Sequence, residues 1–542
     1  MQENTNLTVL VVEPNGSMRT SLQNMLNAAG ISKIDLAVNA NTAIKQLGRR
    51  AYDIILCEYD LAGGSGEGQY GQQLLEDLRH HRLIAPSTIF IMLTSEGVED
   101  KVVSAAELTP TDYVLKPFTV ELLGGRIKRA LERRAALLPA WQQVAQGQLV
   151  DAIRTSEAGL VSQPRYAHDF ARIRAEAHFA LGEYVDAANV YRQILTDRPL
   201  GWAALGLARS MVALGEMDDA RFILDELLTS NPRMMAAYDL LARCHEAEGN
   251  EAQAKKVLAD AVAISPHVVR RLRKLGEVAL STGDLEAAEK SFRQVVSKAR
   301  YSKFRDPQDH VNLVKALVTR GDLAQATGVI RDLERSQRAS AALDACKAYA
   351  NSLLFDKAGN GGAAAAELQA AVNAMRQSAD LAPDLKIEVA QACLQHGLDQ
   401  GAADVMLTVM NDSASGVSMD QALGIFVKAG RADLADGMGQ QLRAQAQILL
   451  GVADEKRNMG DVRGAVQTLL EALHLAPHNL QIMVATAGGI LRQMNELGWD
   501  HPLGETAASL LDAIRAQDPL HPRLGALMDE YQGARKKYGI AG

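Results

Sequence analysis

Two periodicities divide this chain. Through roughly the first 130 residues, short β-branched apolar runs recur at 8–12, 34–38, 54–57, 89–93 and 113–115. Stretches with helical spacing of apolar residues lie among and after them, at 18–29, 40–50, 72–81, 100–108 and 120–134. Strand–helix alternation of this kind predicts a doubly wound α/β fold, a five-stranded parallel sheet with helices on both faces. In such sheets the functional crevice lies beyond the carboxyl ends of the strands.

From Trp141 onward the strand signals stop, and Ala/Leu-rich helical sequence takes over. A frame recurs within it. Gly147, Gly182, Gly215, Gly249 and Gly283 are spaced by 35, 33, 34 and 34 residues. Five positions after each stands an alanine: Ala152, Ala187, Ala220, Ala254 and Ala288. Seventeen after the first four stands a proline: Pro164, Pro199, Pro232 and Pro266. A glycine suits the left-handed cap that ends a first helix. A small alanine lets two helices cross closely, and a proline stops the second helix. Gly321 with Ala326 continues the frame after a longer gap. Gly359, Gly397 and Gly430 keep the alanine offset (Ala364, Ala402, Ala435) but lose the proline, and the whole frame returns at Gly460, Ala465 and Pro477. About ten helical pairs are predicted, with capping helices from residue 480 onward.

Composition narrows the function classes. Hydrophobic residues make up 47% of the 542, but aromatics only 4%, which favours closely packed helices over a large β-sandwich. The net charge of −8 is shared by both regions and argues against a nucleic-acid partner. No apolar stretch is long enough for membrane insertion, and the N-terminus lacks the pattern of a secretory leader. Cys57, Cys244, Cys346 and Cys393 are far apart, as expected of isolated thiols in a reducing, cytoplasmic compartment. His245, His267 and His310 lack ligand-spaced neighbours and read as surface or core histidines. Arg270–Lys274 (RRLRK) reads as a solvated helix face, with a docking patch for an acidic partner as the functional alternative. The glycine-rich stretch 62–71 lacks the Lys-Ser/Thr of a phosphate loop and reads as a connection.

The strand ends carry the candidate chemistry. Glu13 and Pro14 follow the first run, Glu58 and Asp60 the third, Thr94 the fourth, and Lys116 the fifth. With VLVVEP, DIILCEYDL, IMLTSE and DYVLKPF, residues 7–130 resemble the response-regulator receiver domain. The Gly/Ala/Pro frame resembles the tetratricopeptide repeat. The receiver resemblance implies phosphoryl transfer from a histidine kinase to a carboxylate, with Mg²⁺ held by neighbouring acids. It assigns the phosphoacceptor position to Glu58, the switch hydroxyl to Thr94, charge balance to Lys116 and the mobile aromatic to Tyr113. The repeat resemblance implies a right-handed superhelix whose groove binds extended protein segments.

The departures shape the functional expectation. Glu58 stands where the family has aspartate, one methylene longer, and Pro14 replaces one of two metal-binding acids. A receiver-like domain that is not phosphorylated follows, with no catalytic residue and no cofactor. Mg²⁺ would enter only if Glu13 and Glu58 still held it. Glu58 either imitates part of a phosphorylated state, reaching Lys116 and Thr94, or survives as an acid paired with Lys116. Asp60 as a substitute acceptor is set aside on strand alternation. The expected domains are 1–135 (receiver-like), 136–300 (clear repeats), 301–478 (divergent, then clear, repeats) and 479–542 (capping helices). The expected function is a non-catalytic regulator or scaffold of a two-component pathway. Its partners would be proteins, a histidine kinase or another signalling protein among them. The alternatives are an assembly adaptor with a relic receiver, a conventional response regulator, and an enzyme with an unrecognised site.

Overall fold

A computed structural model describes residues 6–61, 70–95, 111–266, 268–299, 305–336, 339–378, 381–412, 415, 417–519 and 521–538. It forms two compact units, Met1–Arg320 and Gly321–Gly542.

The first unit opens with the sheet. Strands β1 (Thr8–Val12), β2 (Lys33–Ala37), β3 (Ile54–Glu58), β4 (Ile89–Ser95) and β5 (Asp112–Lys116) pair in parallel in the order β2-β1-β3-β4-β5. Alternate residues of the central strands feed two cores. Leu10, Val12, Ile55, Phe90 and Met92 pack on one side, and Val9, Val11, Leu56, Ile91 and Leu93 on the other. Burial on both faces explains why these strands read as continuous apolar runs. Helices α1 (Gly16–Ala28), α2 (Ala40–Leu47) and α3 (Gly71–His80) lie at the predicted positions. The helix expected at 100–108 and most of the glycine-rich stretch fall outside the described residues.

Helix α4 (Val120–Ala145) joins the sheet to the helical array without a break. Leu123, Ile127 and Ala130 pack against the sheet, while Leu137 and Ala140 pack against Phe170 and Ile173 of the array. The expected domain boundary at 135/136 therefore lies inside one helix. The frame glycines Gly147, Gly182 and Gly215 then join α4 to α5 (Leu149–Ser162), α6 (Ala167–Ala180) to α7 (Tyr184–Asp197), and α8 (Gly201–Leu214) to α9 (Met217–Ser230), after which α10 (Met235–Ala247) opens the next pair. Then come α11 (Glu251–Ile264), α12 (Val269–Ser281), α13 (Leu285–Ala299) and α14 (Gln308–Arg320).

The second unit is helical throughout its described residues, from α15 (Leu323–Ser336), α16 (Ala341–Lys357) and α17 (Gly361–Met375) to α18 (Pro383–Gln395) and α19 (Asp399–Met410). It continues with α20 (Met419–Lys428), α21 (Ala432–Asn458), α22 (Val462–Leu475), α23 (Leu480–Leu497), α24 (His501–Gln517) and α25 (Leu524–Lys537). All ten frame glycines, from Gly147 to Gly460, have φ between 71° and 91°. After Gly215, the Glu216 N–H donates to the Met211 carbonyl at 2.9 Å, the reverse turn that only a left-handed residue permits cheaply. Every alanine five positions on is buried, from Ala152 at 0% exposed to Ala435 at 6%. Helices α5, α7, α9 and α11 stop two residues before Pro164, Pro199, Pro232 and Pro266.

RRLRK is solvated only in part: the Arg270 side chain is 67% exposed. Arg271 is 3% exposed and paired through two nitrogens with Asp239, at 2.7 and 2.8 Å. Arg273 grips Asp309 in the same way, and Lys274 reaches Glu246 at 2.9 Å. A charge run on one helix could not disclose acids supplied by its neighbours. His310 is buried and His245 half-buried, while His267 lies outside the described residues. All four cysteines are buried, and none is in a disulfide.

Candidate functional site at the carboxyl edge of the sheet

Parallel pairing brings the ends of β1, β3, β4 and β5 to one edge. Ser95 pairs with Lys116 and Glu58 with Leu93, while Glu13 follows β1 and hydrogen-bonds through its N–H to the Ala37 carbonyl at 3.0 Å. Glu13 is 3% exposed and Glu58 7%, so both carboxylates have lost most of their water. A buried charge without a partner would be costly. Lys116 supplies the partner for both: its Nζ donates to Glu13 Oε2 at 2.8 Å and to Glu58 Oε2. The remaining oxygens are also used. Glu13 Oε1 accepts from the Asn15 N–H at 3.0 Å, and Glu58 Oε1 from the Asp60 N–H at 3.0 Å.

The charges follow from this geometry. Burial pushes the Glu58 pKa up, against the opposing pull of the Lys116 hydrogen bond. Burial alone would lower Lys116, but its hydrogen bonds to Glu13 and Glu58 outweigh that and hold its pKa above the ordinary value. The neighbouring Cys57 thiol is pushed up by burial and by the two carboxylates, which makes it inert rather than nucleophilic.

Glu13, Glu58 and Lys116 thus come together as one ion cluster, and the other expected residues surround it. Thr94 is buried beside them, and its hydroxyl donates to the Ser95 carbonyl at 3.4 Å. No hydrogen bond joins Thr94 to Glu58 among the described residues. Tyr113 is half-buried against the core on the α3 side of the sheet, and burial raises its pKa. Asp60 needs a correction. Residues two apart on a strand face the same side, so alternation does not separate it from Glu58. Asp60 lies past the end of β3, in an isolated bridge with Tyr70, and its main chain touches the pocket through the Glu58 carboxylate.

Four contributors have no counterpart among the residues the sequence points to. The Arg19 guanidinium donates from one nitrogen to the carbonyls of Glu13 and Pro14, both at 2.7 Å, placing a second cation at the acidic turn. Its one-turn distance from Pro14 on an amphipathic helix was the available signal. Gly71 begins α3 so close to β3 that a Cβ there would lie 2.3 Å from the Glu58 carbonyl. Gln72 and Gln73 are polar but only 1% and 5% exposed, a burial no local pattern announces.

The response regulator receiver domain matches residues 9–128, and the tetratricopeptide repeat matches residues 178–244. The chain is 25% identical over 130 residues to the chemotaxis protein CheY-3 of Vibrio cholerae, covering 24% of this chain and 95% of that protein. It is 30% identical over 125 residues to the phosphate regulon transcriptional regulatory protein PhoB of Escherichia coli, covering 23% of this chain and 52% of PhoB. A crystal structure of a tetratricopeptide repeat protein from Parabacteroides merdae aligns with 48% of this chain and 98% of its own, at 16% identity and a TM-score of 0.31. No helix among the described residues is long and apolar enough to cross a membrane. The two modules indicate a role in signalling through protein interaction, and the chain is a response-regulator receiver domain followed by tetratricopeptide repeats.

Proposed function

We propose that this protein is a non-catalytic, cytoplasmic regulator or scaffold of a two-component pathway, whose receiver takes no phosphoryl group and whose array binds a protein partner. The observation that carries the reading is Lys116 bridging Glu13 and Glu58. In-line transfer requires an accessible acceptor oxygen, and small displacements of the reacting atoms are costly. Here both Glu58 oxygens are engaged, one by Lys116 and one by the Asp60 N–H.

The donor set also fits Mg²⁺ poorly. That ion prefers octahedral oxygen ligands, and Pro14 contributes no carboxylate while its carbonyl is taken by Arg19. Among the described residues, Lys116 and Arg19 bring the positive charge to this pocket. The Thr94 hydroxyl turned to Ser95 favours Glu58 as an ion-pair partner over Glu58 as a phosphoryl imitation. A glutamate in any case supplies less charge and fewer oxygens than a phosphate.

Incubation of the chain with a small-molecule phosphodonor and Mg²⁺, followed by intact mass and peptide mapping, tests the first half. No adduct is expected; an acyl phosphate at Glu58 or Asp60 would overturn the reading. Affinity capture with the intact chain and with Glu58→Ala tests the second. Partner recovery that depends on Glu58 supports a regulator, whereas indifference to it favours the adaptor with a relic receiver.

A further inference from the structure

The α3 helix of the receiver has two partners. Its apolar face, Leu74, Leu75 and Leu78, packs on the sheet. Its polar face meets the array more than two hundred residues later in sequence. The Gln73 side-chain amide donates to the Lys298 carbonyl of α13 at 3.3 Å, and its other end accepts the Tyr70 N–H at 3.1 Å. Glu76, with a side chain only 15% exposed, faces Arg270 of α12 at 4.0 Å. A cavity of about 180 Å³ lies between them, lined by Glu76, Asp77, His80, Arg270, Arg273 and Lys298 among others. Arg79, on the same helix, lies within electrostatic range of Arg172 on α6. At the other end of these repeats α4 holds the receiver covalently, reinforced where Arg133 grips Asp169 of α6 at 3.0 and 2.6 Å.

We infer that the helix pair α12–α13 is a docking surface for the receiver of the same chain. The repeats from α5 to α13 are thereby held at both ends, by α4 at one and by α3 at the other. Three members of RRLRK support the array itself, and the fourth, Arg270, is the cation offered to the acidic face of α3. The acidic partner that a basic run invites is supplied in cis.

The clasp is built to open. Arg270 is 67% exposed at the side chain, and exposed ion pairs contribute little. A protein entering the repeats between α5 and α13 from the receiver's side competes with α3 for these residues. Because Gly71 starts α3 against the Glu58 carbonyl, α3 runs directly from the pocket to the array.

Hydrogen–deuterium exchange on the full chain tests the clasp, comparing it with Glu76→Arg, Arg270→Glu and the double variant. Each single substitution places like charges face to face. Exchange is expected to rise about tenfold in both α3 and α12–α13, with α8–α9 unchanged and the double variant restored toward the parent. Unchanged exchange in α12–α13 for both single variants would overturn the inference, as would a rise in α3 alone. Should Glu76→Arg also loosen β3, Arg270→Glu, which leaves the receiver sequence untouched, is the deciding variant. The experiment uses no phosphodonor, so its result stands apart from the fate of the pocket reading.

Discussion

The receiver pocket and the repeat array show opposite relations between sequence and geometry. At the pocket, Glu58 and Pro14 stand where the receiver resemblance expects an aspartate and a second acid, yet the strand order, the registers and the tight start of α3 are all in place. The side chains depart from the resemblance while the backbone arrangement keeps to it. In the array between Gly321 and Gly460 the prolines are gone, yet each frame glycine keeps positive φ and each alanine stays buried. There the geometry persists because so few residues specify it. A left-handed cap needs a glycine and a close crossing needs an alanine, while most other positions need only be helical and suitably apolar.

The missing prolines divide further. Seventeen residues after Gly430 stands Gln447, and there the second helix of one pair runs straight into the next as the 27-residue α21. Seventeen after Gly359 stands Arg376, where α17 nonetheless ends. Proline therefore secures the stop without being required for it. The long α4 is the counterpart of α21 at the head of the array, one helix serving two cores.

Substitutions in the pocket, in the array and at their joint separate these two behaviours, in descending order of effect. Lys116→Met strands two buried carboxylates and should cost the receiver about 3 kcal/mol or more, seen as a lower unfolding midpoint. Lys116→Met combined with Glu58→Met should recover much of that loss, because an apolar pair needs no counter-charge. If Lys116→Met is neutral, the ion cluster is not what holds the pocket. In the array, Gln447→Pro should cost about 3 kcal/mol by breaking α21, read as faster exchange on both sides of the substitution. A neutral result would mean the fused helix tolerates the break that its neighbours carry naturally. Ala220→Leu, at 0% exposure, should cost about 2 kcal/mol by forcing α9 from its neighbours. Gly249→Ala, at φ 74°, should cost about 1 kcal/mol, and the same change at Gly397, φ 71°, should match it if clear and divergent repeats share one cap.

The smallest effect concerns the joint between the regions. Asp53 accepts from the Thr8 N–H and hydroxyl, both at 2.9 Å, and from Arg134 of α4 at 2.8 Å. Burial alone would raise its pKa, but the Thr8 N–H, Arg134 and the Thr8 hydroxyl together lower it. The sign follows from linkage. A lowered folded-state pKa gives stability that is fully present above the ordinary aspartate value, about 4, and is lost as pH falls through the folded value. Asp53→Asn should flatten that acid limb of the stability curve, and an unaltered limb would remove Asp53 from the joint.

Much of this molecule is legible in its residues. The apolar runs marked all five strands, and most clearly the central β1, β3 and β4, which are buried on both faces and so apolar almost throughout. The frame marked the helical pairs because a positive φ and a close crossing each restrict one position severely. Glu13, Glu58, Thr94 and Lys116 were found because parallel pairing puts strand ends together wherever they fall in sequence. What the residues alone left open were partnerships. Lys116 serving two glutamates, Arg19 closing the acidic turn, RRLRK divided among acids on other helices, and Gln73 meeting Lys298 all join residues with no local relation. Local pattern records what a backbone position demands of its own side chain. Which charge neutralises which depends on distances of a few ångströms between distant segments, and only tertiary structure decides those.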